Sequence, residues 1–389
     1  MNMKKRLKYN CEVILRKVFR IVGKVIPVRQ NRLLFYSFRG TQYSCNPKYI
    51  TEYLLEHFPD SYEIIWAFRD RKNVGEVPKA IRCVKYQSLA FFYYHLSSKV
   101  IISNIYPFQY IGIKKEQRMI DTWHGGGAYK VGGFDFVSTK NKAAVNTYNF
   151  YQDNISVFIS SSSLFSKYLI RGGMKFTGPI LETGLPRNDI FFFSDEKKQK
   201  IKDKVYQSLG IEKGLKTILY APTWRSQEEE DSFVFDTERL KEAFQERFGG
   251  EWIVVVRMHM LSKSKVKQKA VDAGGYPDMQ ELLVGADALI TDYSSSIWDY
   301  SLTQKPCLLY TYDLEKYQSG RSFYVDIHKW GFPLAICFED LIQCIETFDE
   351  QEFAVNMSAH QNMLGSFERG DACQKVVSYI EKETQQDRH

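Results

Sequence analysis

The sequence has few cysteines and lacks several motifs by which common enzyme classes are found. Its seven cysteines are widely spaced and contain no C-x-x-C pair, so neither a disulfide framework nor a cysteine zinc site is visible and a reducing compartment fits best. There is no Walker A loop and no G-x-G-x-x-G after the first expected strand, so neither an ATPase nor a nicotinamide enzyme is indicated. There is no G-x-S-x-G motif, so no hydrolase with a serine nucleophile elbow is indicated. There is also no D-x-D pair, which would be one simple way to hold a divalent ion on a nucleotide diphosphate.

Basic residues are concentrated at the start of the chain. Residues 1–32 contain ten Lys or Arg and one acidic residue, whereas the rest of the 389-residue chain has 43 basic and 45 acidic residues. A broad nucleic-acid surface needs basic residues distributed over a folded face. We therefore expect no nucleic-acid partner.

The basic arm is typical of an amphipathic helix. When successive residues are placed about 100° apart around a helix axis, the apolar side chains lie on one side of the helix and most of the charged side chains lie on the other. Lys8 and Val13 are the exceptions. The apolar side consists of Leu7, Cys11, Ile14, Leu15, Val18, Ile21, Val22, Val25 and Ile26. Charges interrupt every apolar run, so the arm is neither a signal peptide nor a spanning helix. Two interpretations stay open: peripheral binding to the anionic cytoplasmic face of the cell membrane, or docking of the apolar side on the protein's own domain.

After the arm, β-branched and aromatic runs alternate with helical stretches in two series. This rhythm predicts an α/β fold with parallel, doubly wound sheets. The expected strands cover residues 32–38, 63–68, 99–104, 119–123 and 157–160, then 217–221, 252–257, 288–291 and 306–311. A turn and a polar helix within 184–213 separate the series. We therefore expect an arm over 1–29, a first domain over 30–194 and a second over 195–389.

A first candidate motif, Asp-Thr-Trp-His-Gly-Gly-Gly at 121–127, directly follows an apolar run. Ligands of open α/β sheets bind beyond the carboxyl ends of the strands. There, His124 could take a proton from a hydroxyl near neutral pH, and Gly125 and Gly126 would allow close approach of a ligand. The alternative is an ordinary βα turn with a partly buried histidine.

Two further strand ends carry candidate residues. Thr223 and Arg225 could offer a hydroxyl and a planar fork of donors to a phosphate. Arg257 and His259 end the next strand of the second series. An ordinary strand-end loop would look similar in both cases.

A fourth motif, Ile-Thr-Asp-Tyr-Ser-Ser-Ser at 290–296, lies between an apolar strand and a helix. Helix capping explains one serine but not three. Hydroxyls and N–H groups converging on a helix N-terminus favour an anion, and a pyrophosphate is the functional interpretation. The serines at 160–163 repeat the arrangement more weakly, and we expect them to cap a helix.

The chain resembles the CDP-glycerol glycerophosphotransferase family, whose members prime or polymerise teichoic acids and related bacterial polymers. The resemblance runs from about residue 30 to 375 and is carried by the order and spacing of four motifs. These are Thr-Trp-His-Gly at 122–125, Tyr-Ala-Pro-Thr-Trp-Arg at 220–225, Arg-Met-His at 257–259 and Ile-Thr-Asp-Tyr-Ser-Ser at 290–295. It implies the GT-B arrangement, in which two Rossmann-like domains face each other across a cleft and the last helix, near 375–382, returns to the first domain.

The resemblance also implies a reaction and a set of roles. An acceptor hydroxyl attacks the β-phosphorus of CDP-glycerol, or of a similar CDP-alditol, and CMP is released. His124 matches the family's proposed base, His259 matches the histidine facing the donor phosphates, and Asp292 would brace its loop. The candidate catalytic residues are thus His124 and His259, with Gly125, Gly126, Thr223, Arg225, Arg257, Asp292, Ser294 and Ser295 binding substrate. No metal ligand is assigned, and assistance by Mg²⁺ is left open.

One departure concerns the acceptor. The family often has Thr-Pro after His-Gly, where this chain has Gly126-Gly127. The acceptor, a lipid-linked saccharide or a polymer, is therefore less defined than the donor. The length leaves no room for a large extra module, which favours a short primer or capsule-type transferase. Two other functions remain as alternatives: a GT-B glycosyltransferase using a nucleotide sugar, and a non-catalytic membrane-bound scaffold.

Overall fold

The computed structural model describes residues 3–72, 74–105, 110–135, 142–223, 236–258 and 269–385. Contacts divide the chain into two compact units. The first unit comprises Met1–His124, Gly132–Asp189 and Phe367–His389, and the second comprises Gly125–Val131 and Ile190–Ser366. The described strands pair in parallel within one sheet per unit, so the expected α/β class with parallel sheets is confirmed.

The first unit is built on a seven-stranded sheet in the order β3-β2-β1-β4-β5-β6-β7. The strands are β1 (Arg29–Tyr36), β2 (Glu63–Phe68), β3 (Arg82–Lys85), β4 (Ser98–Ser103), β5 (Arg118–Asp121), β6 (Val157–Ile159) and β7 (Ile180–Leu181). The described α-helices before the second unit are α1 (Met3–Val25), α2 (Cys45–His57), α3 (Leu89–Ser97) and α4 (Lys142–Gln152), and a π-helical segment covers Phe165–Gly173.

Side chains of β1 alternate between the two faces of this sheet. Leu33 and Phe35 lie in one core cluster, whereas Leu34 and Tyr36 lie in the other. All four are fully buried, because a central parallel strand is covered by helices on both faces. The continuous apolar run in the sequence follows from this double burial.

The second unit contains a six-stranded sheet in the order β10-β9-β8-β11-β12-β13. Its strands are β8 (Lys216–Tyr220), β9 (Trp252–Val256), β10 (Val271–Asp272), β11 (Ala288–Thr291), β12 (Cys307–Tyr310) and β13 (Leu334–Ala335). Its described α-helices are α5 (Asp195–Leu209), α6 (Thr237–Phe248), α7 (Met279–Gly285), α8 (Ser296–Ser301), α9 (Leu314–Gly320), α10 (Phe338–Glu346) and α11 (Glu350–Leu364). Ser194 caps the start of α5, and the left-handed Gly210 ends it.

The last helix, α12 (Ala372–Gln385), belongs to the first unit. The carboxylate of Asp189 accepts hydrogen bonds from the backbone N–H groups of Ala372 (3.0 Å) and Cys373 (2.7 Å) at the start of this helix. The division of the chain at Asp189 lies a few residues before the boundary expected at 194. The grouping of Gly125–Val131 with the second unit was not expected from the sequence.

Helix α1 packs on the first unit through a side that is not its apolar side. Gly23 is buried, Phe19 lies 4.8 Å from the ring of Phe92, and Arg16 lies 4.0 Å above the ring of Phe150. The opposite, apolar side is exposed, from 38% for Val22 to 80% for Val25, and includes Ile14, Leu15, Val18 and Ile21. Over residues 14–25, the apolar side is therefore not docked on the protein's own domain. None of the helices in the described ranges is long and apolar enough to cross a membrane.

Candidate active site

The loop after β5 carries His124, and side chains elsewhere in the first unit hold its backbone. Asn46, in α2, donates from Nδ2 to the carbonyl oxygens of Thr122 (3.0 Å) and Trp123 (3.1 Å). Arg187 donates from Nη1 to the carbonyl oxygen of His124 at 2.8 Å. Trp123 has a φ of 52°, a left-handed conformation that is costly for a bulky residue. These bonds stabilise a strained turn immediately before the histidine.

The imidazole of His124 is held by a main-chain acceptor. Its Nδ1 lies 2.9 Å from the carbonyl oxygen of Asn104, the residue after β4. Because a carbonyl oxygen only accepts, Nδ1 carries the proton and the lone pair of the neutral ring is on Nε2. The ring also stacks on Trp123 and meets Phe38 edge-on, with centroids 4.8 and 5.9 Å apart. This tautomer is the one required of a base that acts through Nε2.

Asp121 lies buried behind this turn, at the end of β5. Its Oδ1 accepts a hydrogen bond from Trp123 N at 2.7 Å, and its Oδ2 accepts one from the Tyr151 hydroxyl. Burial raises the pKa of Asp121 to about 7, although both hydrogen bonds lower it. Asp121, which accepts a hydrogen bond from the turn before His124, therefore changes its charge near neutral pH.

The glycines after His124 are required by their surroundings in the second unit. A Cβ built on Gly126 would lie 2.0 Å from Cδ1 of Trp298, so no larger residue fits unless the indole moves. Gly127 has a φ of +85°, in the region that favours glycine. The close packing and the backbone conformation both explain why this stretch consists of small residues.

The segment after these glycines is anchored by backbone and side-chain hydrogen bonds. Tyr324 N donates to the Tyr129 carbonyl oxygen at 2.9 Å, and Val131 N donates to Ser322 O at 3.0 Å. The Tyr129 hydroxyl lies 2.6 Å from Nε2 of His360. Burial lowers the pKa of His360 to about 4, so the ring is neutral near pH 7 and Nε2 can accept the phenol proton.

Thr223 and Asp292 connect the loops after two adjacent strands of the second sheet. β8 and β11 pair in parallel, so their carboxyl ends emerge at the same edge. The Asp292 carboxylate accepts from Thr223 N at 2.9 and 3.0 Å and from the Thr223 hydroxyl at 2.8 Å. The carboxylate thus orders the Thr223 loop.

Arg257 follows β9, the other neighbour of β8. Its N–H continues the ladder by donating to Tyr220 O at 2.9 Å, and its Nη1 lies 3.5 Å from the sulfur of Met279. Burial lowers the pKa of Arg257, and the nearby Asp278 raises it. The guanidinium stays charged because its ordinary pKa is above 12, and it supplies positive potential at this edge of the sheet.

The serines after β11 are not all used for capping. Ser294 Oγ accepts hydrogen bonds from Ser296 N (3.3 Å) and Ser296 Oγ (3.0 Å). Ser295 occupies the N-cap position of α8, but its side chain makes no capping hydrogen bond. In the first unit, Ser162 Oγ accepts from Phe165 N, the first residue of the π-helical segment Phe165–Gly173, at 3.1 Å.

The sheet order brings several candidate residues of the second unit to one edge. Thr223, Arg257 and Asp292 follow β8, β9 and β11, which are adjacent strands, and Ser294 and Ser295 continue the last of these loops. Arg225 and His259 lie outside the described residues. In the described ranges, no three His, Cys, Asp or Glu side chains are grouped so that they could hold a metal ion.

Comparison with known proteins agrees with this geometry. The model of the CDP-glycerol:poly(glycerophosphate) glycerophosphotransferase family matches residues 18–382. The chain belongs to this family. The glycerophosphotransferase is 29% identical over 381 residues to the teichoic acid poly(glycerol phosphate) polymerase of Bacillus spizizenii, covering 93% of this chain and 95% of the relative. It is 28% identical over 403 residues to the teichoic acid glycerol-phosphate transferase of Staphylococcus aureus, covering 98% and 100%.

A solved structure resembles the glycerophosphotransferase over nearly its whole length. This is a histidine-to-asparagine variant of the wall teichoic acid polymerase TagF soaked with CDPG, at 27% identity and a TM-score of 0.81. The likeness covers 99% of this chain and 97% of that chain. The family and these relatives show that the chain is an enzyme of the CDP-glycerol glycerophosphotransferase class.

The Gly126-Gly127 departure from Thr-Pro has a structural explanation in the glycerophosphotransferase. Proline fixes φ near −65°, which is incompatible with the φ of +85° at Gly127. A threonine at position 126 would overlap the indole of Trp298. Threonine and proline are therefore incompatible with the packing at Gly126 and the backbone conformation at Gly127.

Three residues that hold the histidine turn of the glycerophosphotransferase were not found from the sequence. Asn104 directly follows β4, so the strand-end rule that selected His124 also applies to it. Asn46 lies in a helix, and Arg187 lies in the turn that was interpreted only as a domain boundary. Asn46 and Arg187 donate to backbone carbonyl oxygens, and Asn104 contributes its own carbonyl oxygen. Contacts with backbone atoms leave no pattern in the sequence.

Proposed function

We propose that the enzyme transfers glycerol phosphate, or a similar alditol phosphate, from CDP-glycerol to a hydroxyl of a lipid-linked or polymer acceptor. The polymer is a teichoic acid or a capsule-type cell-surface polymer, and CMP is the second product. Membership of the family supports the reaction. The single structural observation that carries the mechanism is the hydrogen bond from His124 Nδ1 to Asn104 O, which sets the lone pair on Nε2.

The step is an in-line phosphoryl transfer. As the acceptor oxygen attacks the β-phosphorus, Nε2 of His124 takes the hydroxyl proton. A new O–P bond forms, the bond from the β-phosphorus to the bridging oxygen breaks, and CMP leaves with that oxygen. Such a transfer requires alignment and positive potential more than covalent chemistry from the protein.

The donor diphosphate is assigned to the carboxyl ends of β8, β9 and β11. Arg257 supplies positive charge there, and the hydroxyl of Ser295 lies at the start of α8, where helix N–H groups favour an anion. Asp292 serves the donor indirectly, because its carboxylate would repel phosphate and is bonded to Thr223. On the resemblance alone, Arg225 and His259 are assigned to the same phosphates. The GT-B arrangement, with two Rossmann-like domains facing across a cleft, is part of this proposal.

The enzyme is proposed to act at the cytoplasmic face of the cell membrane as a peripheral protein. The exposed apolar side of α1 supports this location, because a helix docked only on its own protein would bury that side. Lys17, Arg20 and Lys24 are exposed on the same helix. Each basic residue near an anionic leaflet contributes on the order of 1 kcal/mol, so apolar insertion and charge act together.

A donor screen tests the proposed function. The enzyme is incubated with membranes carrying acceptor and with CDP-glycerol, UDP-sugars or GDP-sugars in separate reactions. We expect acceptor-dependent release of CMP from CDP-glycerol and a product heavier by whole glycerol phosphate units in mass spectrometry. Consumption of a nucleotide sugar would identify a glycosyltransferase, and failure of every CDP-alditol to release CMP would exclude the proposed reaction.

A further inference from the structure

The loop after β1 reaches the ring of the proposed base. Phe38 N donates to Oδ1 of Asn104 at 2.8 Å, and the carbonyl oxygen of the same asparagine lies 2.9 Å from Nδ1 of His124. The Phe38 ring meets the imidazole edge-on, with centroids 5.9 Å apart. Arg39 is the next residue along the chain, and its side chain is exposed. An exposed cation therefore directly follows a residue that contacts His124.

The backbone at Arg39 is strained and is held by the neighbouring loop. Phe38 and Arg39 have φ values of 45° and 57°, in the left-handed region that such residues seldom adopt. Arg69, in the loop after β2, donates from Nε to the Arg39 carbonyl oxygen at 3.0 Å. The backbone N–H of Arg69 donates to Gly40 O at 2.7 Å. The loops after the adjacent strands β1 and β2 are therefore joined at the two arginines.

The two guanidinium groups lie near the same tyrosine and have no carboxylate partner. The guanidinium carbon of Arg69 lies 5.4 Å from the centroid of the Tyr86 ring. Burial raises the pKa of Tyr86, whereas the charges of Arg39 and Arg69 both lower it, so both cations are close to this residue. Neither arginine forms an ion pair in the part of the chain that the structure describes. Like charges so placed repel each other, and a bound anion would offset this repulsion.

Exposed basic residues continue from this pair along the same edge of the sheet. β3, β2 and β1 are consecutive parallel strands, so their carboxyl ends emerge together. Residues 37–40, 68–72 and 85–88, at these strand ends, contain five basic residues and one acidic residue, Asp70. The five, all exposed, are Arg39, Arg69, Arg71, Lys72 and Lys85. β1 lies two strand spacings from β5, about 10 Å, so the row starts close to His124 and leads away from it.

We propose that Arg39 and Arg69 bind the phosphodiester nearest to the reacting hydroxyl of the acceptor, which therefore ends in an alditol phosphate unit. This inference rests on the proposed function and names the class of its acceptor. Guanidinium groups offer planar donor forks that match phosphate oxygens. The donor phosphates are assigned to the second unit, so the phosphate at this edge belongs to the acceptor.

The position of the arginines favours a phosphate chain over a saccharide. In a chain of alditol phosphates, a single alditol separates the terminal hydroxyl from the first phosphodiester. The following phosphodiesters can then lie along the basic row toward β3. A lipid-linked saccharide places its sugars between the reacting hydroxyl and the diphosphate. A site that begins beside the base therefore fits the chain better.

A matched pair of variants and a matched pair of acceptors test the site. Arg29 begins β1 and Arg39 follows its other end, and both are exposed. The acceptors are a short glycerol phosphate oligomer and its methyl phosphotriester, which has the same length but no charge. Arg39→Gln should raise KM for the oligomer by about tenfold or more, as for a lost charge-assisted hydrogen bond. Its kcat should stay within about twofold, because the lost contact serves binding.

The uncharged acceptor shows whether the first unit is intact. The triester needs the same base but offers no charge to the arginines, so Arg39→Gln should not change its KM. Arg29→Gln should leave KM for both acceptors within about twofold, because its charge lies at the opposite edge of the sheet and is screened. Equal effects of the two variants, or equal losses with the two acceptors in Arg39→Gln, would show that Arg39 does not bind phosphate.

Two further measurements identify the source of the phosphate. A short-chain prenyl diphosphate that carries a disaccharide serves as a third acceptor. If Arg39→Gln impairs transfer to it but not to the oligomer, the site binds a lipid diphosphate and the proposal is overturned. A higher dissociation constant of Arg39→Gln for CDP-glycerol would assign the arginine to the donor and would equally overturn it.

Binding without turnover separates the site from the reaction. Calorimetry with the oligomer and no donor should give similar affinities for the parent enzyme and Arg29→Gln, and at least about tenfold weaker binding for Arg39→Gln. If this pattern is found but no CDP-alditol releases CMP, the proposed function fails and the phosphodiester site stands. If CMP is released but all three proteins bind the oligomer equally, the reaction stands and the site is excluded.

Discussion

The carbonyl oxygen of Asn104 lies 2.9 Å from Nδ1 of His124. A main-chain atom, rather than a carboxylate, therefore fixes the tautomer of the proposed base. The carbonyl oxygen carries no formal charge, so it orients the ring without placing a negative charge beside it.

Replacing the proposed base should affect turnover rather than donor binding. General-base catalysis contributes about 10²- to 10⁴-fold, so His124→Ala should lower kcat by that amount. The dissociation constant for CDP-glycerol should stay within about twofold, because the donor residues lie elsewhere in the chain. CMP release and calorimetry measure the two quantities.

The matched control for this variant is His57→Ala. His57 is exposed at the end of α2 and stacks on Tyr53, so its removal should leave kcat unchanged. An active His124→Ala enzyme would exclude the base assignment.

The Thr223 hydroxyl should matter for donor affinity. Thr223→Val removes its 2.8 Å hydrogen bond to Asp292, a bond to a charged group that contributes about 1.5–3 kcal/mol. The loop loses order, and we expect the dissociation constant for CDP-glycerol to rise by about tenfold or more. Thr223→Ser keeps the hydroxyl and should bind the donor within about threefold of the parent enzyme. Similar affinities for the Val and Ser variants would show that this bond does not order the donor loop.

Even one methyl group should disturb the glycine segment. In Gly126→Ala the new Cβ would lie 2.0 Å from Cδ1 of Trp298, and overpacking of this kind costs about 1–3 kcal/mol. The matched control is Gly275→Ala, because no atom lies within 4 Å of a Cβ built there. Thermal unfolding should show a lower Tm for Gly126→Ala alone. An unchanged Tm would mean that the indole of Trp298 moves at little cost.

The inner strands were predictable from the sequence and the outer ones were not. β3, β7, β10 and β13 were missed, and each is the edge strand of its sheet. Three of them have only two residues. An edge strand contacts one neighbour and buries less surface, so it does not need the apolar run that identifies a central strand.

The same contrast applies to the candidate site. Thr223, Arg257 and Asp292 were chosen because a parallel sheet brings its strand ends to one edge, and their binding of substrate stays a prediction. Arg187 was missed because it reaches the His124 carbonyl oxygen across 63 positions of the chain. A contact between a side chain and a distant backbone atom depends on tertiary packing, which local patterns do not encode.

The stability of the first unit should depend on pH through Asp121. Its pKa is raised to about 7 by burial, compared with about 3.9 in an unfolded chain. The folded state therefore binds the proton more tightly, and the stability gained from protonation is lost as the pH rises from about 4 to about 7. His360, whose pKa is lowered to about 4, changes stability in the opposite direction between about pH 4 and 6.5.

Comparison with Asp121→Asn isolates the carboxyl group, because His360 is present in both proteins. Asparagine keeps an oxygen that can accept from Trp123 N but has no proton to lose. We compare the unfolding free energies of the parent enzyme and of the variant. The difference, parent minus variant, should decrease as the pH rises, by at most about 1.4 kcal/mol per pH unit. Chemical denaturation at several pH values between about 4 and 7 measures this difference. A difference that stays constant, or that rises with pH, would show that Asp121 is already ionised in the folded protein throughout the range.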